Sequence, residues 1–338
     1  MSQRLSRRLF VGTAAATLAA PAIGRAAEPV KIRCSLDTAP SHPRNQAIVD
    51  YMAKLEKESK GEIKTEVFHS GQLFADLNVS KALLQGQIEM ASPGTWVVTG
   101  LVPDADLVGL PYFYGVPIDI THKATAGKPG AYVNKQLEGK LKTHVLGPWL
   151  DLGYNNWYST KTPLNGFDSL KGLKIRSAGG AAKSWRVKFA GGIANTTAWP
   201  NVPLSLSQGT FDALISSDES VNSAKLWEAG VKFSYVDNQF LAQYIPMVGN
   251  ACWEKLTKAQ QKLMVDLWAD NIAAYDKGSA ESQARARGIL EKNGVKFHDA
   301  SARELATTRT AMIDAQDALI KDAKLSPEVV KLVKEAVG

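Results

Sequence analysis

From residue 30 to 36 the chain alternates apolar and polar positions, with Val30, Ile32, Cys34 and Leu36 on one side. That is the period of a strand with one buried face. Residues 44–59 change period: Ile48, Tyr51, Met52 and Leu55 fall at helical spacing, and Gly61 closes the segment. Alternation returns at Ile63, Thr65 and Val67 and stops at Ser70-Gly71. A helix over 76–85 ends at Gly86, and a short strand over 87–91 follows. This order predicts two crossover units and a parallel sheet. A second set has the same order: strand 173–176, helix 181–190 stopped by Gly191-Gly192, strand 193–197, helix 202–208 closed by Gly209, and strand 210–215. The pattern repeats without repeating the sequence, so two α/β domains of similar build are expected. Beyond Thr257, which forms a capping box with Gln260, the chain turns helical. Met264, Trp268, Ile272 and Tyr275 make one packing stripe; a further helical region covers 279–292, and two more helices lie between 300 and 337.

Open sheets of this kind bind ligands beyond the carboxyl ends of their strands. The loops placed there are 37–42, 70–76 and 92–96 in the first set, and 176–180, 197–199 and 216–219 in the second. Two facing crevices predict a clamp that closes on a ligand. Arg176 ends a strand and is followed by Ser177-Ala178-Gly179-Gly180 and a helix start. A guanidinium there can hold a carboxylate by two parallel charge-assisted bonds, with helix-start amides adding positive potential. The alternative is a surface arginine paired with a nearby acid.

The length of 338 residues suits two domains, and 45% apolar with 22% charged residues is a globular composition. Four of the seven net positive charges come from Arg4, Arg7, Arg8 and Arg25, in a 1–27 stretch without an acid. The basic balance therefore argues for no nucleic-acid partner. Residues 1–27 read as an export signal, with a basic start, a mildly apolar run from Val11 to Ile23, shorter than the ~20 residues of a membrane span, and a small-residue exit. Arg7-Arg8 followed by Phe10 resembles a twin-arginine signal, although Val11-Gly12 departs from it; an ordinary secretory leader is the alternative. The mature protein is then soluble and periplasmic. Cys34 and Cys252 are expected as two buried free thiols, with a disulfide as the alternative. His42, His69, His122, His144 and His298 lack metal-ligand spacing, and no G-x-S-x-G elbow or phosphate loop is present. No enzyme, metal site or cofactor is expected.

The run Asp168-Ser169-Leu170-Lys171-Gly172-Leu173-Lys174-Ile175-Arg176, continuing through Gly179-Gly180, resembles the signature of the solute receptors of tripartite ATP-independent periplasmic (TRAP) transporters. Six further marks occur in the family's order. They are Ser41-His42-Pro43, Ser70-Gly71-Gln72-Leu73, Gly86-Gln87-Ile88-Glu89-Met90, Leu110-Pro111-Tyr112-Phe113-Tyr114, Ser207-Gln208-Gly209-Thr210-Phe211-Asp212-Ala213 and Asn250-Ala251-Cys252-Trp253-Glu254-Lys255-Leu256. The resemblance implies a periplasmic-binding-protein-like clamp of two α/β domains with crossing hinge strands and a long interdomain helix. Domain I then comprises 28–152 plus about 239–277, and domain II 153–238 plus about 278–338.

It also implies that Arg176 grips the carboxylate of an organic acid, and that a small and a large membrane subunit are the partners. Many dicarboxylate and sialic-acid members carry a second arginine two residues after the glycine matching Gly153, where this chain has Asn155; the asparagine of the family's D-G-x-E-N-P loop is also missing. Aromatics are plentiful near the ligand loops: Trp96, Trp149, Tyr154, Trp157, Trp185 and Trp199. These departures point to a monocarboxylate with an apolar, aromatic or hydroxylated body. The candidate ligand-binding set is Arg176, Gln72, Asn155, Trp157, Ser92, Trp96, Trp199, Ser216, Ser217, Asn250 and His42. Competing readings are a ligand-binding partner of a membrane sensor and an exported α/β enzyme.

Overall fold

The computed structural model describes residues 28–337; the expected export signal over 1–27 lies outside them. The first sheet is built from β1 (Val30–Ser35), β2 (Ile63–Phe68), β3 (Met90–Ala91), β4 (Thr143–Val145) and, from much later in the chain, β12 (Met247–Gly249), in the order β2-β1-β3-β12-β4. The second takes β6 (Asn156–Ser159), β7 (Lys174–Ser177), β8 (Ile193–Thr196), β9 (Ala213–Ser216), β10 (Phe233–Val236) and β13 (Lys296–Asp299), in the order β13-β10-β6-β9-β7-β8. β5 (Leu150–Tyr154) and β11 (Leu241–Tyr244) pair antiparallel as a ribbon of their own.

The expected strand–helix units are present in both sheets. β1 pairs in parallel with β2 and β3, and β7 with β8 and β9. The sheets are mixed, however, where a purely parallel sheet was expected. β12 runs antiparallel to β3 and β4, and β6 antiparallel to β9 and β10. The cause is the crossing of the chain. β5 runs on into β6, and β10 leads through β11 to β12, so each lobe receives a strand arriving from the other. The crossing strands of the expected clamp are these two.

The helical stripe behind the capping box belongs to one continuous helix, Lys258–Lys292, of 35 residues. Two separate helical regions were expected; Gly278 costs about 1 kcal/mol relative to alanine but leaves the hydrogen-bond ladder intact, so it does not end the helix. At 1.5 Å per residue the helix is about 50 Å long. It packs on Pro43–Glu58, on β5 and on Asp218–Ser223, and so ties both lobes to the ribbon. Gly153 makes this approach possible: its φ is +124°, and a Cβ there would fall 2.8 Å from the side chain of Gln283. Three helices, not the expected two, complete the chain: Ala302–Asp314, Gln316–Asp322 and Pro327–Val337. The last packs against Ile118–Thr125 and Lys128–Leu141 of the first lobe, although the sequence division places it with the second. Cys34 and Cys252 are both free and buried.

Trp268 anchors the long helix. It is fully buried, donates from Nε1 to the Pro148 carbonyl at 2.9 Å, and meets Tyr51 edge-on at 5.4 Å between ring centroids. Trp268→Ala removes this packing, and urea unfolding should show a loss of roughly 3–5 kcal/mol. A loss below about 1 kcal/mol, of the size of an ordinary surface change, would contradict the anchoring role.

Candidate functional site

The carboxyl ends of the parallel strands of the two sheets face each other across a closed cleft. Asp37 and Thr38 follow β1, Asp76 starts the helix after β2, and Trp96 lies beyond β3. Arg176 and Ala178 come from the end of β7, Trp199 follows β8, and Ile215, Ser216 and Ser220 follow from β9. The ribbon adds Leu152, Asn155 and Tyr244, and these residues together enclose a cavity of about 30 Å³. That volume holds one or two water molecules. An organic ligand is larger than that volume.

Arg176 is 1% exposed. Its Nε and Nη2 both donate to the Thr197 carbonyl, at 2.9 and 2.8 Å, and its guanidinium carbon stands 5.3 Å from the Trp199 ring centroid. Burial lowers its pKa to about 10, against the opposing pull of Asp76 and Asp37, so it remains a cation at neutral pH. Asp76 accepts the Trp199 backbone N–H at 3.1 and 3.2 Å from its two oxygens, a bond that joins the lobes. Loss of water and the neighbouring Asp37 charge push Asp76 up to about 6, although Arg176 and the backbone N–H groups pull it back.

A second buried arginine is committed elsewhere. Arg44 reaches Asp37 at 2.6 Å, Thr38 Oγ1 at 2.7 Å and the Ser92 carbonyl at 3.3 Å, and its guanidinium lies 4.2 Å from the Tyr244 ring centroid. Its positive charge is matched by Asp37, whereas Arg176 has no ion pair within direct contact among the described residues.

His42 and Ser220 approach across the lobes at 3.2 Å, a distance that suits a base and a nucleophile. The hydrogen bonding rules that role out. His42 Nδ1 accepts the Arg44 N–H as the cap of helix Pro43–Glu58, and burial beside Arg44 holds the imidazole well below its ordinary pKa. The ring is neutral with its proton on Nε2, so His42 donates to Ser220 Oγ and has no lone pair there with which to activate it.

Of the expected ligand residues, Trp96, Asn155, Arg176, Trp199 and Ser216 meet in the cavity wall. Ser92, Ser217 and His42 lie immediately behind it: Ser92 accepts from Arg44, Ser217 caps helix Asp218–Ser223, and His42 holds Ser220. Three expected members lie outside. Gln72 is exposed. Trp157 is fully buried and donates to Asp237 at 2.7 Å, which makes it a core residue of the second lobe. Asn250 begins helix Asn250–Trp253 and donates its N–H to the Lys142 carbonyl, on the far side of β12 from the ribbon. Trp149, Tyr154 and Trp185 also serve packing and hydrogen bonding away from the cavity. Asp37, Asp76, Ser220 and Tyr244 were not in the expected set. The two acids were findable, since both stand in strand-end loops; Tyr244, in a ribbon strand, carried no local signal.

Two α/β lobes, a two-strand ribbon between them and a buried cation in the closed cleft define a ligand-binding clamp. The sequence matches the model for the bacterial extracellular solute-binding proteins of family 7, DctP, over residues 35–322, and the chain belongs to that family, the solute receptors of TRAP transporters. It is 27% identical to the C4-dicarboxylate-binding periplasmic protein DctP of Rhodobacter capsulatus, over 99% of each chain. It is 24% identical to the 2,3-diketo-L-gulonate-binding periplasmic protein YiaO of Escherichia coli, over 90% of this chain and 91% of that one. Among solved structures, a TRAP periplasmic solute-binding protein from Sulfitobacter with bound β-D-galacturonate superposes with a TM-score of 0.83 at 21% identity, covering 91% of this chain and 99% of that one. One from Shewanella oneidensis with bound succinate gives 0.83 at 21% identity, over 92% and 100%. The family is one of receptors and not of enzymes.

The Asp76 shift has a definite sign. Between about pH 4 and pH 6 the folded protein keeps a proton that the unfolded chain has released, so this group's contribution to stability falls as pH rises through that window and is level above it. Asp76→Asn removes the ionisation while retaining an acceptor for Trp199. Chemical denaturation across that range should show the variant gaining on the wild type as pH rises. A difference independent of pH would contradict the raised Asp76.

Proposed function

We propose that the chain is the periplasmic receptor of a TRAP transporter, that it captures an organic acid by closing its lobes, and that it delivers the acid to a small and a large membrane subunit. The family supports the periplasmic location and these partners. The twin-arginine-like leader over 1–27 is the proposed export signal, and no helix among the described residues is long and apolar enough to cross a membrane. The proposed domains are 28–152 with about 239–277, and 153–238 with about 278–338, the C-terminal helix folding back onto the first.

One observation carries the assignment of the ligand headgroup: of the two buried arginines at the cleft, Arg44 is neutralised by Asp37, and Arg176 is anchored by a neutral carbonyl while lining the cavity. Hydrogen bonds from a charged donor are worth roughly 1.5–3 kcal/mol each. Two of them from Arg176 to a carboxylate would account for a large part of the ~8 kcal/mol of a micromolar complex.

The remainder of the wall supports a monocarboxylate. Asp37 and Asp76 line the same cavity, and Asp76, unlike Asp37, has no salt bridge among the described residues, so a second anionic group beside it would stand against like charge. The same acids, with Thr38, Ser216, Ser220 and Asn155, suit hydroxyl groups, while Trp96, Trp199, Tyr244, Leu152 and Ile215 suit an apolar or ring-shaped body. Among proteins of the same fold, bound ligands include β-D-galacturonate, D-erythronate and succinate.

Calorimetry with D-galacturonate, D-erythronate, mandelate, succinate and malate tests both parts. Monocarboxylates should lead, and Arg176→Lys, which keeps the charge but loses the fork, should weaken the best of them at least roughly tenfold. Succinate or malate far ahead of every monocarboxylate would reject the ligand class. Wild-type affinity in Arg176→Lys would reject the clamp.

A further inference from the structure

Lys183 lies on helix Ala181–Phe189, which starts directly after the Arg176–Gly180 turn, and it is 4% exposed. Its ammonium has no hydrogen-bond partner among the described residues. It stands 3.5 Å from the centroid of the Trp96 ring and 4.8 Å from that of Phe240. Burial, with Arg176 and Arg186 beside it, pushes its pKa well below the ordinary lysine value; Asp106, one oxygen of which also accepts the Ala182 N–H at 2.9 Å, is the acid that holds the charge.

Helix Ala181–Phe189 belongs to the second lobe, whereas Trp96, Asp106 and Gly109 belong to the first. The two are held together by the Asp106 bond to the helix start and by Arg186 Nη2 donating to the Gly109 carbonyl at 2.9 Å. The contact is close: a Cβ on Gly109 would fall 2.4 Å from that of Ala182. Trp96 in turn lies over Gly94, where a Cβ would fall 2.3 Å from the indole, and it forms part of the cavity wall beside Arg176.

A buried ammonium with three donors unmade is a poor packing group, and an apolar side chain of similar length would fill the space at less cost. What the ammonium supplies that a methionine does not is attraction to the indole face, which strengthens when water is excluded. We propose that Lys183 is a positioning residue for the ligand wall: by a cation–π contact made across the lobes, it fixes the Trp96 ring in the closed cleft and thereby sets the space left for the body of the ligand. This deepens, and rests on, the solute-receptor reading. Lys183 itself is not among the cavity-lining residues; it acts through Trp96.

The test uses the mature protein with D-galacturonate, D-erythronate and succinate as probes, and the near-ultraviolet circular dichroism band that Trp96→Phe removes as the reporter of the ring. Lys183→Met should abolish or shift that band, weaken the best probe roughly tenfold, and leave the unfolding midpoint equal or higher, because a buried charge has gone. Lys183→Arg, which keeps a cation, should restore both band and affinity. Lys183→Gln gives the same comparison should the methionine variant not fold. An unchanged Trp96 band in the neutral variants would overturn the proposal. So would simple additivity of Trp96→Phe and Lys183→Met on affinity, because residues acting through one contact must couple. A wild type that binds none of the probes, with the band still lost in Lys183→Met, would reject these acids as ligands and leave the positioning contact standing.

Discussion

A guanidinium that gives up its water must recover the loss from fixed dipoles and opposite charge. Arg176 does so with one carbonyl, one indole face and two carboxylates at longer range. The carbonyl belongs to Thr197 and the indole to Trp199, so the loop after β8 is shaped around the arginine that ends β7. The acid with the stronger pull on it is Asp76 of the opposite lobe, and the same carboxylate receives the Trp199 N–H. Solvating one cation and closing one cleft are thus achieved by the same atoms. Within the first lobe Arg44 is paired with Asp37, whereas Arg176, which lines the cavity, makes no salt bridge among the described residues.

The fold brings these groups together from six strand ends, with the ribbon between the lobes. β5 and β11 are short, belong to neither large sheet, and contribute Leu152 and Tyr244 to the cavity, with Asn155 added from the junction of β5 and β6. The helix Lys258–Lys292 lies along them. Gln283 reaches the Leu152 carbonyl, Ser217 Oγ and the Glu219 N–H from a single side chain. The ribbon, the second lobe and the long helix thus share one polar junction, at the residue whose approach Gly153 permits.

Much of this was legible in the sequence because it depends on local period. Alternation over 30–36 and helical spacing over 44–59 mark elements whose buried faces follow from their own residues, and Arg176 was marked by a strand end followed by two glycines. Features set by distant partners were not legible. The antiparallel members of each sheet follow from where the chain crosses, which no local pattern encodes. Trp157 stands in a plausible ligand position until Asp237, just beyond β10, takes its N–H into the core. Asp37 and Asp76 stand in strand-end loops, but the groups they hold, Arg44 and the Trp199 N–H, come from elsewhere in the chain. Tyr244 lines the cavity only because β11 pairs with β5.

The account turns on where a ligand's carboxylate rests when the clamp is shut, and a crystal structure of the protein grown with the best-binding monocarboxylate answers that most directly. It should show the lobes closed, Thr197 still holding Nε and Nη2, and the carboxylate within hydrogen-bond distance of the Arg176 guanidinium beside Trp96 and Trp199. A ligand seated in the closed cleft with its carboxylate on other groups, and Arg176 not touching it, would contradict the account.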